Sequence, residues 1–221
     1  MELKILYQRI ASISNNVQRL SNALYTMSVI KLPDAFEEYE KLSIETAQEA
    51  EWIALRMRHL IYLNPYNKAW DYLPRAVEGL GIEITENNGI YEIMLPGLMP
   101  KKRSRLGSEF VVDPLMFALR QYAMGHRITR FHHSTVCFVL VYDQNLPTRR
   151  IRDYDNVELK PILDAAATYL MDSDGGLDCD TYYSTELGEA DCTRMYIMDT
   201  KRYPEWYAKH QEALHSTENQ T

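Results

Sequence analysis

Val136-Cys137-Phe138-Val139-Leu140-Val141-Tyr142 is followed, six residues on, by Arg149-Arg150-Ile151-Arg152-Asp153-Tyr154-Asp155-Asn156, and then by Val157 to Leu170. The first run is apolar, short and rich in β-branched residues, the pattern of a buried strand. The last has the 3-4 apolar spacing of an amphipathic helix. A strand, a charged crossover and a helix predict a sheet with helices packed on it. The charged segment is chemically informative. Two carboxylates two residues apart, wrapped in arginines, suit a divalent cation held against a phosphate. Mg²⁺ takes oxygen ligands and needs only one or two carboxylates from the protein. In extended chain, period two puts Asp153 and Asp155 on one face, where like charges raise each other's pKa unless a cation intervenes. The bland alternative is a solvated Arg/Asp loop with local ion pairs, which are weak and common on surfaces. Asn156 is a candidate helix cap.

Upstream, Leu3, Leu6, Ile10, Ile13, Val17, Leu20, Leu24 and Met27 keep a strict 3-4 spacing over four heptads. This predicts a long helix with a coiled-coil seam. Pro33 and Asp34 interrupt it. Ala35 to Leu63 again reads as helix, with Phe36, Tyr39, Leu42, Ala47, Ala50, Ile53, Met57 and Leu60 near one stripe. The short connection predicts antiparallel packing. Residues 1–63 are therefore expected to be a helical hairpin, a structural arm or dimerisation element.

Between these regions, Ala69 to Leu80 reads as a short helix closed by Gly81. Ile82–Thr85 and Ile90–Leu95 flank Glu86-Asn87-Asn88-Gly89, the signature of a β-hairpin. Pro96 to Gly107 reads as a basic loop, and Pro114 to Met124 as a helix. Further on, Thr181–Thr185 and Thr193–Met198 read as strands, and residues 201–221 as a polar tail with at most a short helix. The expected class is α+β: the hairpin at 1–63, a mixed β-sheet with helices packed on it at 64–200, and the tail at 201–221.

The formal net charge of −7 argues against a polyanion partner for the chain as a whole. The charge is unevenly spread, however. Lys101 to Lys160 holds eleven Lys/Arg against six Asp/Glu, whereas residues 35–51 hold six Glu against Lys41 alone. Three cysteines without a C-x-x-C pair fit a reducing cytoplasm. No apolar run reaches the roughly 18 to 20 residues that cross a bilayer, so no membrane partner is expected. His132-His133 with Cys137 or Cys179 match no usual zinc spacing. A D-x-D glycosyltransferase would need more alternating β-α units than this chain offers.

The run Leu146 to Asn156, with Lys160, Leu163-Asp164-Ala165, Leu170 and Asp172-Ser173-Asp174, resembles the RusA family of Holliday junction resolvases. Tyr91 to Gly97 resembles that family's opening strand, and Thr193 to Met198 its final one. The resemblance covers residues 89–200. It implies a homodimeric, structure-selective DNA endonuclease of recombination and repair, acting on branched DNA with Mg²⁺ or, as a substitute, Mn²⁺. It implies that Asp153 and Asp155 are catalytic and bind the metal, with Asp174 or Asp172 as the third carboxylate, and that Lys160 steadies the scissile phosphate. Arg149, Arg150, Arg152 and the loop Lys101, Lys102, Arg103 and Arg105 are then the candidates for holding flanking phosphates. The alternative is a RusA-like module that binds DNA or protein without cutting and uses the helical arm for dimerisation.

Overall fold

The architecture is that of a computed structural model, which describes residues 2–63, 69–97, 99, 108–146 and 151–218. The chain divides into two compact units, residues 1–71 and 72–221. The expected class, α+β, holds: long helices come first, then a five-stranded mixed sheet with helices. The boundary falls beyond the expected residue 63. No described helix is long and apolar enough to cross a membrane.

In the first unit, α1 (Glu2–Val29) and α2 (Phe36–His59) form the expected hairpin. Ile13 and Ile53 are buried in it, each 6 % exposed. Arg56, near the end of α2, donates to Ser12 Oγ in the first half of α1 at 2.7 Å, as antiparallel packing requires. The α2 stripe is shifted from the expected one. Tyr39, Leu42, Thr46 and Ile53 turn inward, while Phe36, Ala47, Ala50 and Met57 face solvent.

Helix α3 (Ala69–Leu80) runs from the last residues of the first unit into the second and ends at Gly81, whose φ of 63° lets Ile82 N–H reach back to Val77 O at 3.0 Å. The hairpin of β1 (Glu83–Asn87) and β2 (Ile90–Pro96) turns on Asn88 and Gly89, both with positive φ, as its Asn-Gly sequence requires. The sheet is completed by β3 (Ser134–Asp143), β4 (Cys179–Gly188) and β5 (Cys192–Asp199), in the order β1-β2-β5-β3-β4. Among these five strands only β3 and β4 pair in parallel. A parallel pair needs a crossover, and α5 (Lys160–Leu170) supplies it.

On one face of the sheet, Ile93, Val136, Phe138, Leu140, Met195 and Ile197 form a single core with Val111, Leu115 and Leu119 of α4 (Glu109–Gly125) and Ile162, Ala166 and Leu170 of α5. Helix α4 starts a turn before the expected Pro114, because Ser108 O accepts from both Val111 and Val112 N–H and opens the helix there. Helix α5 starts at Lys160 rather than 157, with Pro161 in its first turn. This is where a missing N–H costs nothing. Asn156 is accordingly no cap, since Leu159 occupies that position.

The expected tail is instead helix α6 (Tyr203–Glu218), which belongs to the second unit. Tyr203, Trp206 and Tyr207 surround Tyr182 of β4, with ring centroids 5.6–6.2 Å apart, and Trp206 lies 5.2 Å from Tyr196 of β5. His210 stacks on Trp206 and reaches Ser184 Oγ at 3.3 Å and Glu186 Oε1 at 3.1 Å. These contacts hold α6 on the second face of the sheet, the face that carries Cys137. Cys137 is fully buried, and burial pushes its thiol up to about 12.

Two outcomes follow from this packing. Phe138→Ala should cost about 3–5 kcal/mol by urea denaturation, the usual penalty for emptying a filled aromatic site. In the native chain Cys137 should resist an aromatic disulfide reagent, whereas a chain ending at Arg202 should expose it to rapid reaction.

Candidate functional site

The Asp-Tyr-Asp segment lies on the chain that returns from β3 to α5, and its shape follows from three local anchors. Arg152 N–H donates to Tyr142 Oη at 3.2 Å, and its guanidinium donates to Met99 O at 3.3 Å. Tyr154 shares a 2.9 Å hydrogen bond with Thr185 Oγ1 on β4. The Tyr154 ring stacks on Tyr183 at 5.4 Å, and Tyr183 in turn on Phe138 at 5.8 Å. A ladder of three rings thus ties the segment to the core, as aromatic pairs do beyond their buried area.

The segment is not extended as the period-two argument requires. Residues 154–156 form one turn of 3₁₀ helix, with Asn156 N–H on Asp153 O at 3.0 Å. Asp153 alone keeps an extended conformation, with φ −63° and ψ 144°. Asp153 and Asp155 are both exposed, on either side of the anchored tyrosine. Neither carboxylate has a partner among the described residues.

The second half of the site is an open cleft of about 430 Å³ lined by Arg130, Lys160, Asp164, Thr168, Asp172 and Asp174, among others. Lys160, at the first turn of α5, donates from Nζ to both Asp164 and Asp174. Asp164 lies one turn along the same helix. Asp174 arrives from the loop after α5. These hydrogen bonds, Asp164's first, raise the Lys160 pKa to about 12. In turn the Lys160 ammonium is the main cause that holds the Asp174 carboxyl below its ordinary range.

The loop is fixed from below. Phe131 N–H bonds Leu170 O at 3.0 Å, and Asp172 N–H bonds Phe131 O at 2.9 Å. Arg130 donates to Thr168 O at 3.0 Å and to Met171 O, covering carbonyls that the end of α5 leaves open. It also pairs with Asp172 at 3.3 Å, and His132 meets the other Asp172 oxygen at 3.5 Å. His133 lies 3.8 Å from Asp178. Sequence reasoning missed Arg130 and Tyr154, whose roles rest on carbonyls and a hydroxyl contributed by other elements.

Of the expected site residues, Lys160 and Asp174 meet, while Asp172 pairs with Arg130, which the sequence did not single out. Lys101, Lys102, Arg103, Arg105, Arg149 and Arg150 lie outside the described residues. Among the described residues no three of His, Cys, Asp and Glu gather as a metal-holding group. The donor chemistry, carboxylate oxygen throughout, suits Mg²⁺. Asp153 and Asp155 are open to such an ion, while the Lys160 ammonium already serves as the cation for Asp174. The cleft sets three carboxylates, Asp164, Asp172 and Asp174, against two cations, Arg130 and Lys160. That excess of negative charge repels a phosphate and attracts a divalent cation.

The chain belongs to a family of unknown function, DUF6100, whose model matches residues 2–220. No curated protein matches it.

The two shifted groups set the pH range of the Lys160 bridge. Lys160 is raised, so its contribution is full below its ordinary value of 10.5 and is lost as the pH climbs through about 12. Asp174 is lowered, so its contribution is present above its ordinary value of 3.8 and is lost as the pH falls through its depressed one. Lys160→Met should therefore cost about 0.5–1 kcal/mol at neutral pH, the scale of exposed pairs. The gap from wild type, followed by chemical denaturation, should narrow as the solution is acidified. A gap that stays constant with pH would assign the loss to packing.

Proposed function

We propose, since membership of that family assigns no activity, a function read from the site itself: a magnesium-dependent endonuclease for branched DNA, of the RusA type. The observation that carries it is the meeting of Lys160 and Asp174 at the mouth of an acidic cleft. They come from opposite ends of α5, in the chain segment that also presents the unpartnered Asp153 and Asp155. The RusA resemblance expects a lysine and a late acid to work beside the Asp-x-Asp-Asn run.

Each described residue has work to do in this reading. Asp153 and Asp155 hold the metal, and their exposure leaves coordination positions open to water and phosphate. Bound there, Mg²⁺ supplies a Lewis acid that lowers the pKa of water and neutralises charge on a phosphate oxygen. Lys160 is fully protonated at neutral pH and offers its ammonium to the scissile phosphate, with Asp164 and Asp174 keeping it charged and aimed. Arg130 and Arg152 hold the loop and the Asp-Tyr-Asp segment in place. The excess of acid in the cleft explains a metal requirement for binding as well as for cutting, because a phosphate approaches only once that charge is offset.

A second reading has its own support. Lys160 satisfies Asp164 and Asp174 without any metal, which suits a RusA-like domain that binds DNA or a protein and does not cut. Incubation of a synthetic four-way junction with the protein and Mg²⁺ separates the two. The nuclease reading expects paired nicks, lost on chelation, and a fall of at least about 100-fold for Asp155→Asn, the scale for removing a group that stabilises transition-state charge. Binding at low salt without any nick supports the second reading. Neither binding nor nicking overturns both for DNA.

A further inference from the structure

The hairpin of α1 and α2 uses only half of its heptad seam. In α1 the set Leu6, Ile13, Leu20 and Met27 turns towards α2, with Ile13 at 6 % exposure. The companion set does not: Ile10, Val17 and Leu24 remain 43 %, 45 % and 52 % exposed. Helix α2 behaves alike. Ser43, Thr46 and Ile53 turn inward, while Ala47, Ala50, Ala54 and Met57 are exposed at 3-4-3 spacing.

The two exposed sets share one face. On each helix an exposed residue follows an inward one by four positions: Leu6 and Ile10, Ile13 and Val17, Leu20 and Leu24 on α1; Ser43 and Ala47, Thr46 and Ala50, Ile53 and Met57 on α2. Four positions advance the direction by about 40° beyond a full turn. Because the helices run antiparallel, equal offsets turn both sets to the same side of the hairpin. The opposite side of α1 carries Lys4, Gln8, Asn15, Arg19 and Asn22.

We infer that this face binds the same face of a second copy of the chain, forming a four-helix bundle from two hairpins. The face is self-complementary in shape. Its α1 edge carries the bulky side chains of Ile10, Val17 and Leu24, and its α2 edge the small ones of Ala47, Ala50 and Ala54. A two-fold axis sets each bulky edge against the partner's small one, the isologous arrangement of most homodimers. Two helices side by side, each about 40 Å long and 10 Å wide, offer about 800 Å² per copy, the share of a standard interface.

The inference does not depend on the nuclease reading. Its test is the mass of the full chain in solution by sedimentation equilibrium or light scattering, with Leu24→Glu, Ala50→Glu and, on the polar side, Asn15→Glu. The wild type and Asn15→Glu should run at twice the 25.8 kDa of one chain. Leu24→Glu and Ala50→Glu should each run as monomers with unchanged helical circular dichroism, since both positions are already exposed to solvent. A monomeric wild type, a dimer that survives either substitution, or an Asn15→Glu variant broken equally would overturn it.

Discussion

The second unit depends on one strand whose backbone is paired on both edges and whose side chains are covered on both faces. Residues 134–141 of β3 are buried without a break. Hydrogen bonds to β4 on one side and β5 on the other satisfy its polar groups. An interior strand of this kind leaves no buried donor or acceptor to compensate. Helices α4 and α5 cover one face and α6 the other. The parallel pairing with β4 obliges the chain to leave the end of β3, cross over through α5 and return. Both halves of the candidate site, the Asp-Tyr-Asp segment and the loop of Asp172 and Asp174, lie at the two ends of that crossover. That both flank α5 is a consequence of sheet topology.

Position in the fold alone does not make that pair of segments reactive; their charge balance matters too. Lys160 is the pivot. It is anchored on the first turn of a helix, paired to one acid on its own helix and to another across the loop. The same contacts that keep it charged also offset the negative charge that Asp174 would offer a metal. Asp153 and Asp155 carry no such compensation among the described residues, and the ring ladder through Tyr154, Tyr183 and Phe138 holds them at the surface. A site with two open carboxylates and a fixed ammonium suits phosphate chemistry that waits for a divalent cation.

Much of this was legible in the chain itself. Heptads gave the hairpin, Asn-Gly gave the turn between β1 and β2, and the unbroken apolar run gave the central strand. These signals are local, and their physics is local too. What escaped reading was set by contacts between distant elements. Residues 203–218 look polar, and only the stacking of Tyr203, Trp206, Tyr207 and His210 on a sheet face makes them a fixed helix. Residues 154–156 form a 3₁₀ turn because a tyrosine reaches a threonine thirty-one positions away. The seam of α1 reads as one stripe of eight residues, yet its two halves have different fates, since one partner helix can cover only part of it. Arg130 carries no motif at all, and its role comes from where α5 ends.

Whether the two ends of the crossover work as one DNA site is tested most directly by hydrogen exchange. The full chain would be measured alone and with a four-way junction, in Ca²⁺ so that binding proceeds without cutting. The account predicts that amides of residues 151–156 and of residues 172–178 slow together when the junction is added. Slowing of one segment without the other, or of neither while the junction is bound, would contradict it.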